Sequence, residues 1–119
     1  MILADTSVWV DHLRYGKKEL ADLLDHAQVL THPFIIGELA VGHLKPRDQI
    51  LRDLAELPWA TVATDTEVLR LIDRHMLFGS GIGYIDAHLL AAALLTPRTS
   101  IWSRDRHLLG AARKLGLTA

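Results

Sequence analysis

The fold is decided by the opening stretch MILADTSVWVDHLR, Met1–Arg14. Ile2, Leu3 and Ala4 form an apolar run without polar alternation, the pattern of a short strand buried on both faces. Asp5 ends that run, and Thr6 or Ser7 then offers a cap for a helix carrying Val8, Trp9 and Leu13. A strand that passes directly into a helix is the first half of a βαβ unit and requires a parallel partner strand. A carboxylate at the end of such a strand stands where open parallel sheets hold their ligands, although Asp5 alone reads equally well as a helix cap.

The same alternation continues along the chain. KKELADLLDHA is a helix with Leu20, Leu23 and Leu24 on one face, and QVLTH is a short strand. Pro33 then occupies a first-turn position of the helix PFIIGELAVGHL. PRDQILRDLAEL spaces Ile50, Leu51, Leu54 and Leu57 at helical intervals, and WATVAT is strand-like. DTEVLRLIDRHMLF turns Val68, Leu71, Ile72 and His75 or Met76 inward. GSGIG breaks the chain before the apolar helix YIDAHLLAAALL. TSIWS is a fourth strand, RDRHLLGAARKLG a helix ended by Gly116, and LTA a short last strand. Short strands alternating with helices predict one α/β domain over residues 1–119, built on a parallel sheet covered on both faces.

A chain of 119 residues that is 50% hydrophobic can bury a core, and disorder is excluded on composition. The absence of cysteine rules out disulfides, thiolate zinc sites and a cysteine nucleophile, and it suits the cytoplasm. The N-terminus lacks the layout of a signal peptide. GYIDAHLLAAALL, interrupted by Asp86 and His88, is too short to span a bilayer, so no membrane association is expected. The net charge of −1 argues at first against nucleic acid, whose phosphates favour basic partners. Setting four of the 14 acids aside at a cation site leaves ten against 13 basic groups, so a nucleic-acid surface would have to be local.

Most acids fall among polar neighbours on solvated helix faces; Asp11 is read the same way, and Asp65 as a helix-start residue near the positive dipole end. Asp5, Glu38, Asp86 and Asp105 stand out. The apolar Phe34, Ile35, Ile36, Leu39, Ala40 and Val41 around Glu38 predict a helix with most of its circumference buried. The positions three and four residues away (Phe34, Ile35, Val41, Gly42) supply no cation. A lone buried carboxylate costs several kcal/mol, on the order of the penalties for unpaired buried charge. Asp86 lies in the first turn of its helix after a glycine loop, where the dipole alone would also favour it. Asp105 follows a strand as Asp5 does, with Ser103 two residues before it; on local grounds a capped first turn accounts for it too. If these acids gather, they repel one another unless a cation holds them, and hard divalent ions with oxygen ligands, Mg²⁺ or Mn²⁺, are the natural compensation. The seven histidines show no paired metal-ligand spacing, and His88 lies about 200° around its helix from Asp86.

ILADTSVWVDHLR, FIIGELAVG with Glu38, GSGIGYIDAHLLAAAL with Asp86 and WSRDRHLL with Asp105 together resemble, in order, the PIN-domain ribonucleases. More narrowly they resemble the VapC toxins of bacterial and archaeal toxin–antitoxin pairs. The resemblance implies a three-layer α/β/α sandwich with a central parallel sheet in strand order 3-2-1-4-5. It also implies convergence of Asp5, Glu38, Asp86 and Asp105 at the carboxyl ends of the central strands, where they bind one or two Mg²⁺ or Mn²⁺ ions. Thr6 and Ser103 match the hydroxyl positions flanking the acids, Ser103 standing where many members carry threonine. By the same resemblance, a metal-activated water hydrolyses tRNA, rRNA or mRNA and leaves a 5′-phosphate and a 3′-hydroxyl. The partners implied are a cognate VapB-like antitoxin and a second copy in a homodimer. Arg14, Lys17, Lys18, Arg104 and Arg106 are candidate phosphate contacts.

Two other readings compete. A non-catalytic PIN-like module would keep the acids only for stability while binding RNA or protein. Phosphoryl-transfer folds also place acids after strands, but the phosphatase pattern needs an acid where Ser7 stands. A receiver needs an acidic pair after the first strand and a lysine after a late strand, whereas ADTS lacks the pair and Lys114 lies within a helix.

Overall fold

Three parallel strands carry the fold in the computed structural model, which describes residues 1–119. β1 (Ile2–Ala4) lies in the middle, with β2 (Val29–Leu30) on one side and β3 (Ser100–Trp102) on the other. The register sets Leu3 beside Leu30 and Ile101. Successive residues Leu3 and Ala4, and Val29 and Leu30, are all buried, so both faces of the sheet are covered. The helices are α1 (Thr6–Tyr15), α2 (Lys18–Asp25), α3 (Pro33–Ala40), α4 (Arg47–Ala55), α5 (Asp65–Arg74), α6 (Tyr84–Leu95) and α7 (Arg106–Lys114). None is long and apolar enough to cross a membrane.

The two strands expected at the sheet edges are reduced to single contacts. WATVAT contributes only Trp59, in an isolated parallel bridge with Thr31. Pro58 precedes it and has no N–H to extend the ladder, and the capping box of Thr64 and Glu67 soon commits the chain to α5. LTA contributes one carbonyl, Leu117 O, which accepts from Ile101 N–H at 2.7 Å. In space the order is Trp59, β2, β1, β3, Leu117, the expected sequence with its outer members too short to be strands.

α6 is the central helix. Ala87 to Ala93 are buried without a break, and the alanines let α5 and β3 approach closely. α5 ends at Arg74, short of the expected Phe78; Met76 takes a left-handed φ of +52° and is exposed rather than inward. α3 corrects a larger expectation. Only Ile35 and Leu39, four residues apart, face the core. Phe34, Ile36 and Ala40 are half-buried, Val41 lies past the helix end, and Glu38 is exposed. Eight residues give α3 one buried line, and Glu38 sits off it.

His32 caps α3: its Nδ1 accepts the Phe34 N–H at 3.0 Å, while the ring is fully buried with Nε2 unpartnered. Burial, and then the nearby His88, push its pKa down to about 4. A base depressed in the folded state stabilises the fold above its unfolded pKa near 6.5, and that stability is lost as pH falls towards 4. The loss is expected to reach about 3 kcal/mol as an upper figure. Urea unfolding of wild type and His32→Asn, which keeps an acceptor for Phe34 N–H, checks it. Equal slopes of stability against pH between 6.5 and 4 in the two proteins would refute this origin.

Candidate active site

Asp5, Asp86 and Asp105 are positioned at helix starts, and Glu38 lies in the second turn of α3. Asp5 leaves β1, and its backbone N–H still pairs with Trp102 O at 3.0 Å, which ties the ends of β1 and β3 together. Its carboxylate, only 7% exposed, is itself the cap of α1, the place expected for Thr6 or Ser7. Oδ1 accepts from Val8 N–H and from the Ser7 hydroxyl, and Oδ2 accepts from the Ser103 hydroxyl. Ser103 in turn accepts the Asp105 N–H at 2.9 Å, and Ser7 accepts the Arg104 N–H at 3.1 Å. One buried carboxylate thus organises residues from both ends of the chain. Ser7 was not foreseen in this role, because its second partner lies 97 residues away.

Asp105 caps α7, accepting from His107 N–H at 2.8 Å and Leu108 N–H at 3.3 Å, and is exposed. Asp86 reaches back from the first turn of α6 to Gly83 N–H at 3.1 Å. Glu38, which is exposed, accepts from the Thr6 hydroxyl at 2.9 Å. Desolvation raises the Asp86 pKa, the Gly83 N–H opposes it, and repulsion from Asp105, Asp5 and Glu38 adds to the rise. The charges of Asp105, Asp5 and Glu38 therefore all bear on Asp86.

The donor set consists of carboxylate and hydroxyl oxygens, which is the chemistry a hard divalent cation takes. No three acidic or histidine side chains converge within reach of one ion as they stand, because each carboxylate is turned onto its own local donor. The set fits such an ion in kind and charge.

The candidate basic contacts divide. Arg104 pairs with Asp11 at 2.6 Å, and Asp11 also holds Lys17 at 3.7 Å. Asp11 is thus half-buried between two cations, not the solvated acid expected, and it orients the Arg104 guanidinium beside the cluster. Lys18 is exposed at the start of α2. Arg14 lies with His43 and Lys45 along a separate groove of about 340 Å³. Arg106 is exposed at the start of α7. His88 points away from the cluster, as its helical position requires, and pairs with Asp65 at 3.0 Å. The Tyr84 hydroxyl donates to the same Asp65 oxygen at 2.7 Å. That bond, followed by the one to His88, lowers the Asp65 pKa.

A strand-end carboxylate, Asp5, is thus joined through Ser103 to the cap of a second helix. The family model described as PIN domain matches residues 2–114, and the chain belongs to that family, among its VapC-type members. The chain is 44% identical over 117 residues to Ribonuclease VapC32 of Mycobacterium tuberculosis (strain CDC 1551 / Oshkosh), covering 98% of this chain and 94% of that protein. The same figures hold for Ribonuclease VapC32 of Mycobacterium tuberculosis (strain ATCC 25618 / H37Rv).

Proposed function

We propose that this chain is a metal-dependent endoribonuclease, the toxin of a toxin–antitoxin pair, acting in the cytoplasm on tRNA, rRNA or mRNA. The observation that carries the reading is the buried Asp5 carboxylate joined through the Ser103 hydroxyl to the Asp105 cap of α7, with Asp86 raised in pKa by the charges of Asp105, Asp5 and Glu38 after its burial. The name of the relatives supports RNA as the substrate.

Acids alone repel a phosphodiester, so the reading requires a cation. Bound Mg²⁺ or Mn²⁺ would supply the positive charge that draws in the phosphate and acidifies the attacking water. Asp5, Asp86, Glu38 and Asp105 would hold it. Ser103 and Ser7 keep the Asp5 carboxylate in one orientation, and Thr6 keeps Glu38 turned towards α1. Arg104, braced by Asp11, offers its remaining N–H groups to a phosphate oxygen. Exposed Leu69, Leu94 and Leu95 on α5 and α6 offer apolar surface for a second copy of the chain, which is the support for a homodimer. A VapB-like antitoxin follows from membership of the VapC-type proteins.

A non-catalytic PIN-like module is the second reading, favoured by the local bond that each acid already makes. Metal separates the two. Protein stripped with chelator is expected to cut a mixed RNA pool only after Mg²⁺ or Mn²⁺ is restored, leaving 5′-phosphates. Folded protein that cuts no RNA with either metal would establish the second reading instead.

A further inference from the structure

Cations missing from the acid cluster stand along α7. Arg106, Gly110 and Lys114 recur every fourth residue and form a row on one side of that helix. With His107 they make one wall of an open groove of about 260 Å³, opposite Met76 and Ser80. No carboxylate lines it. The groove begins where Asp105 caps α7, so its near end adjoins the acid cluster; Lys114 lies about 12 Å further along the helix axis. Lys114 Nζ donates to His75 O at 2.8 Å, which steadies the ammonium while leaving it two further hydrogens.

Two glycines shape this wall. Gly81, at φ +86°, receives the His107 ring so closely that a Cβ there would meet the imidazole at 3.0 Å. That contact packs the loop before Asp86 against α7 beside the groove. Gly110 lies within α7, where glycine is disfavoured, and a Cβ there would meet nothing within 4 Å. Its missing side chain leaves the centre of the cationic row open.

We propose that this groove is a subsite for the RNA backbone flanking the scissile bond, with Arg106, His107 and Lys114 as phosphate contacts. The proposal rests on the ribonuclease reading above. Fixed positive charge with no facing acid attracts a polyanion. Continuity with Asp105 makes the strand entering the cluster its occupant, rather than an acidic protein segment.

Gly110→Glu tests this, because a side chain at an open helical position fills the groove with negative charge and does not strain the backbone. Binding of a labelled single-stranded oligoribonucleotide is measured in an Asp5→Asn background, which binds without cutting. Gly110→Glu is expected to weaken binding about tenfold or more, and in the otherwise wild-type chain to raise KM for long RNA similarly. Lys114→Ala should lower the slope of log affinity against log salt by about 0.7. Thr66→Glu, the same charge change on exposed α5, should leave binding within about twofold. RNA binding by Gly110→Glu equal to wild type would overturn the proposal, as would loss of poly-glutamate binding alone. If wild type cuts no RNA and Gly110→Glu still weakens RNA binding, the ribonuclease reading falls and the groove stands only as an RNA-binding surface.

Discussion

Asp5→Asn is expected to reduce RNA cleavage by at least about a thousandfold, roughly 4 kcal/mol of transition-state stabilisation, while the protein stays folded. The two parts separate because Asp5 has two tasks. Structurally it caps α1 through Val8 N–H and receives the Ser7 and Ser103 hydroxyls. Asparagine caps a helix about as well as aspartate and keeps one acceptor oxygen. Its amide nitrogen would face Ser103, whose hydroxyl has lone pairs to accept it beside the Asp105 N–H. What asparagine cannot keep is the negative charge for a cation. Asp5→Ala would confuse the two, since it also removes the cap and leaves Ser103 without an acceptor, a loss of about 1–3 kcal/mol. Circular dichroism and thermal melting of Asp5→Asn, beside its rate on RNA, decide the matter. A folded Asp5→Asn that cuts within tenfold of wild type would remove Asp5 from the chemistry.

What was legible in the sequence was local. Asp5, Asp86 and Asp105 announce themselves because strand ends and first helical turns are written in adjacent residues, and the alternation around ILA, VL and SIW is enough for a parallel sheet. Glu38 was singled out for burial, and it is exposed, with the Thr6 hydroxyl as its partner. Counting apolar neighbours on an eight-residue helix does not tell which line faces inward. The edge strands failed because propensity over WATVAT and LTA says nothing of how many partners the ladder will find. Ser7 on Arg104, Asp11 on Arg104 and His88 on Asp65 join residues far apart in the chain, so no periodicity records them. His32 as a cap was hidden for another reason: its ring nitrogen does what hydroxyl and carboxyl oxygens usually do.

Asp86→Asn is expected to do two opposite things, to stop cleavage and to stabilise the metal-free protein at neutral pH. Burial first, and then Asp105, Asp5 and Glu38, raise the Asp86 pKa, while Gly83 N–H works against them. An acid raised in the folded state contributes stability that is full below its unfolded pKa and is lost as pH rises through the folded value. At pH 7.5 the ionised carboxylate therefore strains the fold, and asparagine, which can still accept from Gly83 N–H, relieves it. In chelator at pH 7.5, Asp86→Asn should melt above wild type. The difference should vanish below about pH 3, where wild type is protonated in both states. Cation reverses the order: Mg²⁺ at a hundred times its dissociation constant would stabilise wild type by about 2.7 kcal/mol and the variant much less. Cleavage by Asp86→Asn should fall about a thousandfold, so a site built for function would be costing the empty fold stability. A lower melting point for Asp86→Asn in chelator, or equal stabilisation of both proteins by Mg²⁺, would break the link between the repulsion felt by Asp86 and a shared metal ion.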